Sequence, residues 1–118
     1  MEKTNDKGMH YIRKNRVKTA MIYLKENEHK AAQKLFCYAY AVDCEYKIIG
    51  NTTDIEEVKD CDLMIVSSAS IITRDVDEYY TIERKLKEGG VEIEVAINED
   101  RAGKYIDMAL ELYRKGRI

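Results

Sequence analysis

The sequence predicts an α/β fold with three layers, in which a doubly wound, mainly parallel sheet lies between helices. Residues 19–24 (TAMIYL) and 62–67 (DLMIVS) are short, continuous apolar runs, which are typical of strands covered on both faces. Helical patterns with recognisable caps alternate with the strands, in the order β-α-β-α-β-α-β-α. Right-handed crossovers then place strands one and three in the middle, so that the expected strand order is about 2-1-3-4.

Two further segments predict the edge strands of this sheet. YKIIG (46–50) is a shorter apolar run. VEIEVAI (91–97) alternates apolar residues with Glu92 and Glu94, which leaves one side of the strand partly exposed to water. We therefore place both segments at the edges.

The first and last helices are predicted from an asparagine cap and an apolar stripe. Asn27 is expected to cap the first helix. Its expected inward stripe is Ala32, Leu35, Phe36, Ala39 and Tyr40. Asn98 is expected to start the last helix. The stripe there is Ala102, Tyr105, Ile106, Ala109, Leu112 and Tyr113.

The two middle helices are predicted from aspartate caps. Asp54 with Glu57 has the spacing of a capping box and predicts one short helix before the second central strand. Asp75 with Glu78 predicts another box, which opens a longer helix. That helix is expected to end at residues 89–90, two glycines that favour a left-handed C-cap.

Length and charge bound the classes of protein to consider. The 118 residues suit one domain, for which we assign 1–17 to a polar, basic leader and 18–118 to the folded part. A formal net charge of -2 gives no global attraction to nucleic acid or to an anionic membrane. No apolar run approaches the ~20 residues that span a bilayer, and the N-terminus lacks the apolar core of a signal peptide. We expect a cytoplasmic protein with no membrane partner.

The three cysteines and two histidines indicate neither disulfides nor a metal centre. Cys37, Cys44 and Cys61 are odd in number and have no zinc-binding spacing with His10 or His29. Reduced thiols and no bound metal are the expectation.

The predicted strand order places a candidate site between strands one and three. Ligands of doubly wound sheets bind outside the carboxyl ends of the strands, where the strand order reverses. Residues 24–27 (LKEN) and 67–74 (SSASIITR) meet there. Neither contains the glycines of a dinucleotide or P-loop site, and the third strand ends in serines where a phosphoacceptor receiver needs an aspartate. We therefore expect no cofactor.

Three segments carry a resemblance to a known family. The first strand ends at residues 23–27 (YLKEN), its helix reads QKLFCYAYA from Gln33, and SIITR (70–74) follows the third strand. In order and spacing, residues 18 to about 97 resemble the catalytic domain of serine recombinases, the resolvase and invertase family. Members typically show Tyr-x-Arg-x-Ser, Gln-x-x-x-Leu-x-x-Tyr-Ala and Asp-Arg-Leu-x-Arg at these places. The resemblance implies a resolvase-like fold and a role in DNA strand exchange.

The departures from that pattern fall on the residues that would do the chemistry. Tyr23 matches, but the resemblance implies a serine nucleophile where this chain has Asn27, and an amide cannot attack a phosphodiester. Lys25 replaces an arginine and keeps the charge without the bidentate fork. The Asp-Arg pair is replaced by Ser70 and Ile71. The sequence therefore predicts a degenerate active site, with the final arginine of the pattern retained as Arg74.

Several polar residues keep two interpretations. Lys25 is either a phosphate contact or a solvated charge, and Arg74 either binds phosphate or pairs with a nearby carboxylate in residues 75–78. Gln33 serves packing or a polar contact beside the crevice. Ser67, Ser68 and Ser70 are expected to be hydrogen-bonding residues of the strand end rather than a relocated nucleophile, because no base is evident.

Two features bear on partners. Residues 13–18 and 113–118 are basic and are either solvated or in contact with phosphate. The resemblance implies a dimerising helix after the catalytic domain, so the last helix either supports a homodimer or pairing with a related recombinase, or simply covers the sheet.

Three functions remain. The first, which we predict, is a catalytically impaired recombinase-like domain of a mobile element that acts by self-association, by hetero-association or by weak DNA contact. The alternatives are an active recombinase with a relocated serine and a small binding domain for a polar or anionic ligand.

Overall fold

The computed structural model describes residues 16–97 and 102–116. The strands are β1 (Thr19–Tyr23), β2 (Lys47–Thr52), β3 (Leu63–Val66) and β4 (Glu92–Val95). The helices are α1 (Lys30–Asp43), α2 (Val76–Glu88) and α3 (Ala102–Arg114). All three strand pairs are parallel, in the order β2-β1-β3-β4. The predicted α/β class and strand order are confirmed.

The central strand β3 separates two apolar clusters. Alternate side chains of a strand point to opposite faces, so Leu63 and Ile65 pack in the cluster that includes α1 and Leu112 of α3. Met64 and Val66 pack in the cluster that includes Leu86 of α2. The sheet is therefore covered on both faces, which explains the continuous apolar run in the sequence.

The edge strands expose more of their surface than β3 does. Along β2, exposed Lys47, Ile49 and Asn51 alternate with more buried residues. In β4, Glu92 is exposed and the next three residues are half-buried. Both predicted edges are confirmed, although β2 runs on to Thr52, beyond its short apolar run.

Helix α1 differs from the prediction in its start and in its buried stripe. It begins at Lys30, with His29 at the cap position and no side-chain cap, so the expected cap at Asn27 is wrong. The predicted stripe is confirmed at Ala39 and Tyr40, which are buried, and half-buried Leu35 and Phe36 pack against the same cluster; Ala32 is exposed, so its assignment to the stripe is wrong. The prediction missed three buried residues, Gln33, Cys37 and Ala41. Gln33 is buried because its side chain bonds to the preceding loop.

Both predicted aspartate caps are confirmed, but neither belongs to a complete capping box. Asp54 caps a short 3-10 turn at Ile55–Glu57, and Asp75 caps α2; each side chain accepts a backbone N–H at 3.0 Å. Instead of bonding back to the capping residues, the carboxylates of Glu57 and Glu78 accept from threonine hydroxyls, those of Thr52 and Thr73.

The end of α2 follows the prediction at the two glycines. Gly90 has φ 82°, a left-handed conformation in which a Cβ would be strained. Its N–H donates to the carbonyl of Lys87, and the N–H of Val91 donates to that of Leu86, each at 2.9 Å. These two bonds form a Schellman motif, which satisfies the last carbonyls of the helix.

Only part of the predicted α3 stripe falls within the described residues. Asn98 and the side chains at 102, 105, 106 and 109 lie outside them. Leu112 is buried as expected, but Tyr113 is 65% exposed, so its assignment to the inward stripe is wrong. Adjacent helical residues lie about 100° apart around the axis, and the narrow contact with α1 covers Leu112 but not Tyr113. None of the described helices is long and apolar enough to cross a membrane.

At the amino ends of the strands, Asp62 ties the start of β1 to β3. Its carboxylate accepts from the Arg16 guanidinium at 2.8 and 3.1 Å and from the backbone N–H of Thr19 at 2.8 Å. These bonds, first that of Arg16 and then that of Thr19, lower the pKa of Asp62 to about 2. Arg16 itself lies in the predicted leader.

Candidate functional site

The loop after β1 is held by the buried side chain of Gln33, which is 4% exposed. Its Oε1 accepts from the N–H of Lys25 at 2.8 Å. Its Nε2 donates to the carbonyl of Lys25 at 3.2 Å and to Oδ1 of Asn27 at 3.0 Å. Gln33 therefore makes the polar contact that was one of its two predicted roles, and it fixes the loop as a backbone pair would.

The hydrogen bonds of Asn27 define the orientation of its amide. Its Oδ1 also accepts from the backbone N–H of His29 at 2.8 Å, and a backbone N–H can only donate, so this atom is the oxygen. Asn27 thus closes an Asx turn before α1 instead of capping the helix. Both lone-pair directions of Oδ1 are in use, whereas Nδ2 makes no hydrogen bond to the described residues.

The tip of β3 carries three serines in different surroundings. Ser67 is 5% exposed and still belongs to the sheet, because its carbonyl accepts from the N–H of Ile97 at 3.1 Å. Because side chains alternate between the two faces of a strand, Ser67 lies on the same face as Leu63 and Ile65, which is the face covered by α1. Ser68 and Ser70 follow on the exposed turn, with their hydroxyl oxygens 2.9 Å apart.

A cleft of about 240 Å³ lies between these two tips, at the predicted switch point. It brings together three of the predicted site residues, Asn27, Gln33 and Ile71, and it also has Ser67 in its wall. Sequence reasoning missed Ile97 as a wall residue, and it assigned Phe36 only to the core stripe. The signal for Ile97 was available, since β4 is next to β3 and must end at the same edge of the sheet.

The other predicted site residues lie elsewhere. Tyr23 packs in the cluster of α2, on the opposite face of the sheet from the cleft. Lys25 is exposed and joins the site only through its backbone. Ser70 is exposed on its turn. Arg74 lines a separate cavity of about 260 Å³ at the start of α2, next to Tyr79 and Tyr80. Lys25 and Arg74 therefore do not converge with Asn27 on the cleft.

No group that could activate a serine is in place among the described residues. The His29 ring is largely exposed and lies 3.4 Å from the Glu28 carboxylate. Burial raises the pKa of the Cys37 thiol to about 12, so it stays protonated at neutral pH. The alternative that Arg74 pairs with a carboxylate of residues 75–78 is not seen in the described part of the chain.

The three cysteines lie apart from any disulfide or metal cluster among the described residues. Cys37 and Cys61 are buried, Cys44 is half-buried, and none of the three forms a disulfide. Within the described ranges, no group of three or more His, Cys, Asp or Glu side chains is placed to hold a metal ion.

The parallel sheet in the order 2-1-3-4, the helices on both faces and the cleft at the switch point define a doubly wound α/β domain of the resolvase type. A solved structure, the C-terminal catalytic domain of ISC1926 TnpA, an IS607-like serine recombinase, shares this fold with a TM-score of 0.57. The match covers 82% of each chain at 19% sequence identity. The predicted resemblance to serine recombinase catalytic domains is thereby confirmed at the level of the fold. No protein-family profile and no curated protein sequence matches the chain.

Proposed function

We propose that this chain is a serine recombinase-like domain that has lost strand cleavage and acts by association, with itself or with a related recombinase, and by weak contact with DNA. The observation that carries the proposal is Asn27. At the position where the resemblance implies a nucleophilic hydroxyl, its amide oxygen accepts from Gln33 and from the His29 N–H. This oxygen is part of the loop's structure and has no proton to lose.

The surrounding charges support the loss of cleavage. A phosphoryl transfer site needs positive groups that converge on the phosphate. Here Ile71 takes one arginine position in the cleft wall, and Arg74 lines a different cavity. Losing one well-placed transition-state donor commonly costs about 10²–10³ in rate, and losing the nucleophile removes the covalent route.

Two exposed regions support the binding role. On α3, Leu110 and Tyr113 are 46% and 65% exposed, which leaves apolar surface for another protein. Lys25 and Arg74 are exposed near the strand tips and suit weak, salt-dependent contacts with phosphate. Both features favour contact with partners over chemistry.

The decisive experiment is a search for a covalent protein–DNA adduct by intact mass after denaturation, with DNA from around the gene as substrate. We expect no adduct from this chain and a clear one from an intact serine recombinase. We expect none from Asn27→Ser either, because the arginines of the pattern are still missing. An adduct from the natural chain would contradict the loss of cleavage, and its disappearance in Ser67→Ala, Ser68→Ala or Ser70→Ala would identify a relocated nucleophile.

The association is tested separately by sedimentation velocity, alone and with a related recombinase. We expect Tyr113→Asp to abolish association, because it places a charge on the exposed face of α3. Tyr80→Asp is the matched control, since Tyr80 is a similarly exposed tyrosine on α2, at 57%. A chain that stays monomeric and ignores the recombinase would contradict this part of the proposal, as would equal effects of the two variants.

A further inference from the structure

The described residues that line the cleft between the β1 and β3 tips include no carboxylate, lysine or arginine. Its polar wall is made of Asn27, Gln33 and Ser67, and its apolar wall includes Phe36, Ile71 and Ile97. The only titratable side chain in its wall, among the described residues, is His29, which lies at the exposed end. No described residue of the wall offers a fixed cation to a phosphate group, and moving that group out of water without one is unfavourable.

The hydroxyl of Ser67 is buried and has no hydrogen-bond partner among the described residues. Its side chain points toward α1 and into the wall of the cleft, and its oxygen makes no hydrogen bond to the described residues. Buried hydroxyls are usually hydrogen-bonded, because leaving one unpaired in an apolar environment is costly. This unsatisfied group indicates that the cleft takes something that bonds to it.

On the opposite polar wall, Asn27 presents a hydrogen-bond donor. Asn27 has both lone-pair directions of its Oδ1 occupied by His29 and Gln33, so its Nδ2 hydrogens are what it can present to a ligand. Gln33 has both Nε2 hydrogens in use. A ligand that meets Asn27 and Ser67 together therefore needs an accepting oxygen.

From this geometry we infer that the cleft is a binding site for a small, neutral ligand that presents a carbonyl oxygen to Ser67 and Asn27. The rest of the ligand is apolar and packs against Phe36, Ile71 and Ile97. A volume of about 240 Å³ lies just below the ~300–1,000 Å³ of pockets for drug-sized ligands, so the ligand is of fragment size. The site is independent of the proposed loss of cleavage and of association, and its failure would leave both standing.

The test uses benzamide as the neutral carbonyl probe, and benzoate and inorganic phosphate as charged comparators. Benzoate has the size and shape of benzamide and differs mainly in charge. The full-length chain, labelled with ¹⁵N, is titrated with each probe while the backbone amide shifts are followed. We expect benzamide to shift residues 27–36 and 67–71 with a dissociation constant of about 1 mM, typical of a fragment with few contacts. Benzoate is expected to bind at least about tenfold more weakly, since its charge has no partner there.

Three variants define the site. Ser67→Ala is expected to weaken benzamide about fivefold, the loss of one hydrogen bond. Ser68→Ala is the matched control and is expected to change nothing, because its hydroxyl lies on the exposed turn. Ala32→Leu adds a side chain at an exposed position in the cleft wall and is expected to abolish binding without entering the core.

Three results would overturn the inference. The first is phosphate or benzoate binding at the cleft as tightly as benzamide does. The second is equal affinity for benzamide in Ser67→Ala and the natural chain. The third is the absence of shifts in both segments up to the solubility limit of benzamide.

Discussion

The loops after β1 and after β3 lie at the same edge of the sheet and are held in opposite ways. After β1, the buried amide of Gln33 makes three hydrogen bonds of 2.8 to 3.2 Å to Lys25 and Asn27. After β3, the hydroxyls of Ser68 and Ser70 bond only to each other within the described residues, on an exposed turn. The β1 loop is fixed by a buried amide from the helix that follows it, whereas the bond from α2 to the β3 loop, between the Glu78 carboxylate and the Thr73 hydroxyl, is exposed.

This difference separates polar residues that hold the fold from those that are available to a ligand. The sequence shows polar residues at both strand ends and does not distinguish them. Burial and hydrogen-bond partners do distinguish them. Gln33 has both Nε2 hydrogens in use, whereas Ser67 is as buried and its hydroxyl has no partner in the described part of the chain. The following predictions test this contrast.

The largest effect is expected for Gln33→Met, which keeps the length of the side chain and removes its polar atoms. The backbone N–H and carbonyl of Lys25, whose bonds to Gln33 are part-buried, lose their partner. Leaving a buried polar group unsatisfied costs about 1–3 kcal/mol. We expect a loss of about 3 kcal/mol in the free energy of unfolding, measured from urea transitions. A loss below that of Asn27→Ala would contradict the central role assigned to Gln33.

Asn27→Ala comes next. It removes the acceptor for His29 N–H and leaves one Nε2 hydrogen of Gln33 unpaired, which is expected to cost about 1.5 kcal/mol. Asn27→Ser is the sharper comparison, because its hydroxyl can accept from the His29 N–H as in an ST turn but is too short to replace the bond to Gln33. We expect it to recover about half of the loss in urea unfolding. Equal stability of the two variants would show that the turn bond is unimportant.

The fold was predictable because its signals are local and repeated. The two continuous apolar runs identified β1 and β3 as central, and both aspartate caps occur where the spacing placed them. The errors came from side chains whose burial depends on partners outside their own element. In α1, Gln33 was missed as a buried residue because it is polar, and its burial depends on its bonds to the preceding loop.

The site was predictable in position and less so in composition. The strand order alone located the switch point, and Asn27, Gln33 and Ile71 do line the cleft there. Family pattern also grouped Tyr23 and Arg74 with them, but Tyr23 points to the other face and Arg74 follows a turn that carries it to α2. The path of an irregular segment such as 68–74 depends on packing that local sequence patterns do not encode.

Asp75→Ala tests whether the cap of α2 stabilises the chain where the loop after β3 ends. Asp75 accepts from the N–H of Glu78 at 3.0 Å, and loss of an N-cap typically costs about 1 kcal/mol. We expect that loss in urea unfolding, with Asp77→Ala as control, because Asp77 lies in the first turn and is not the cap. Equal effects would attribute the stabilisation to helix-dipole charge and not to the capping bond.

The pH dependence of stability should come from the opposite end of the sheet. The pKa of Asp62 is lowered to about 2 from an ordinary 3.8. As the pH falls, the Asp62 carboxylate is therefore protonated in the unfolded chain before it is protonated in the folded one. Its contribution is fully present above about pH 4 and is lost as the pH falls toward 2. We expect the natural chain to lose more stability than Asp62→Asn between about pH 5 and pH 2.5, with a smaller difference in high salt. The loss from Gln33→Met should not change over this range, since no ionised group is involved.

The smallest effect is expected at the exposed serines. Ser68→Ala and Ser70→Ala each break the same hydroxyl pair, and both oxygens are accessible to water, so the bond is replaced by hydration. We expect each variant, and the double variant, to change the free energy of unfolding by less than about 0.5 kcal/mol. A loss comparable to that of Asn27→Ala would mean that the β3 turn is held as firmly as the β1 loop. The contrast between the two strand ends would then rest on Ser67, a buried hydroxyl with no partner among the described residues, which these two substitutions leave in place.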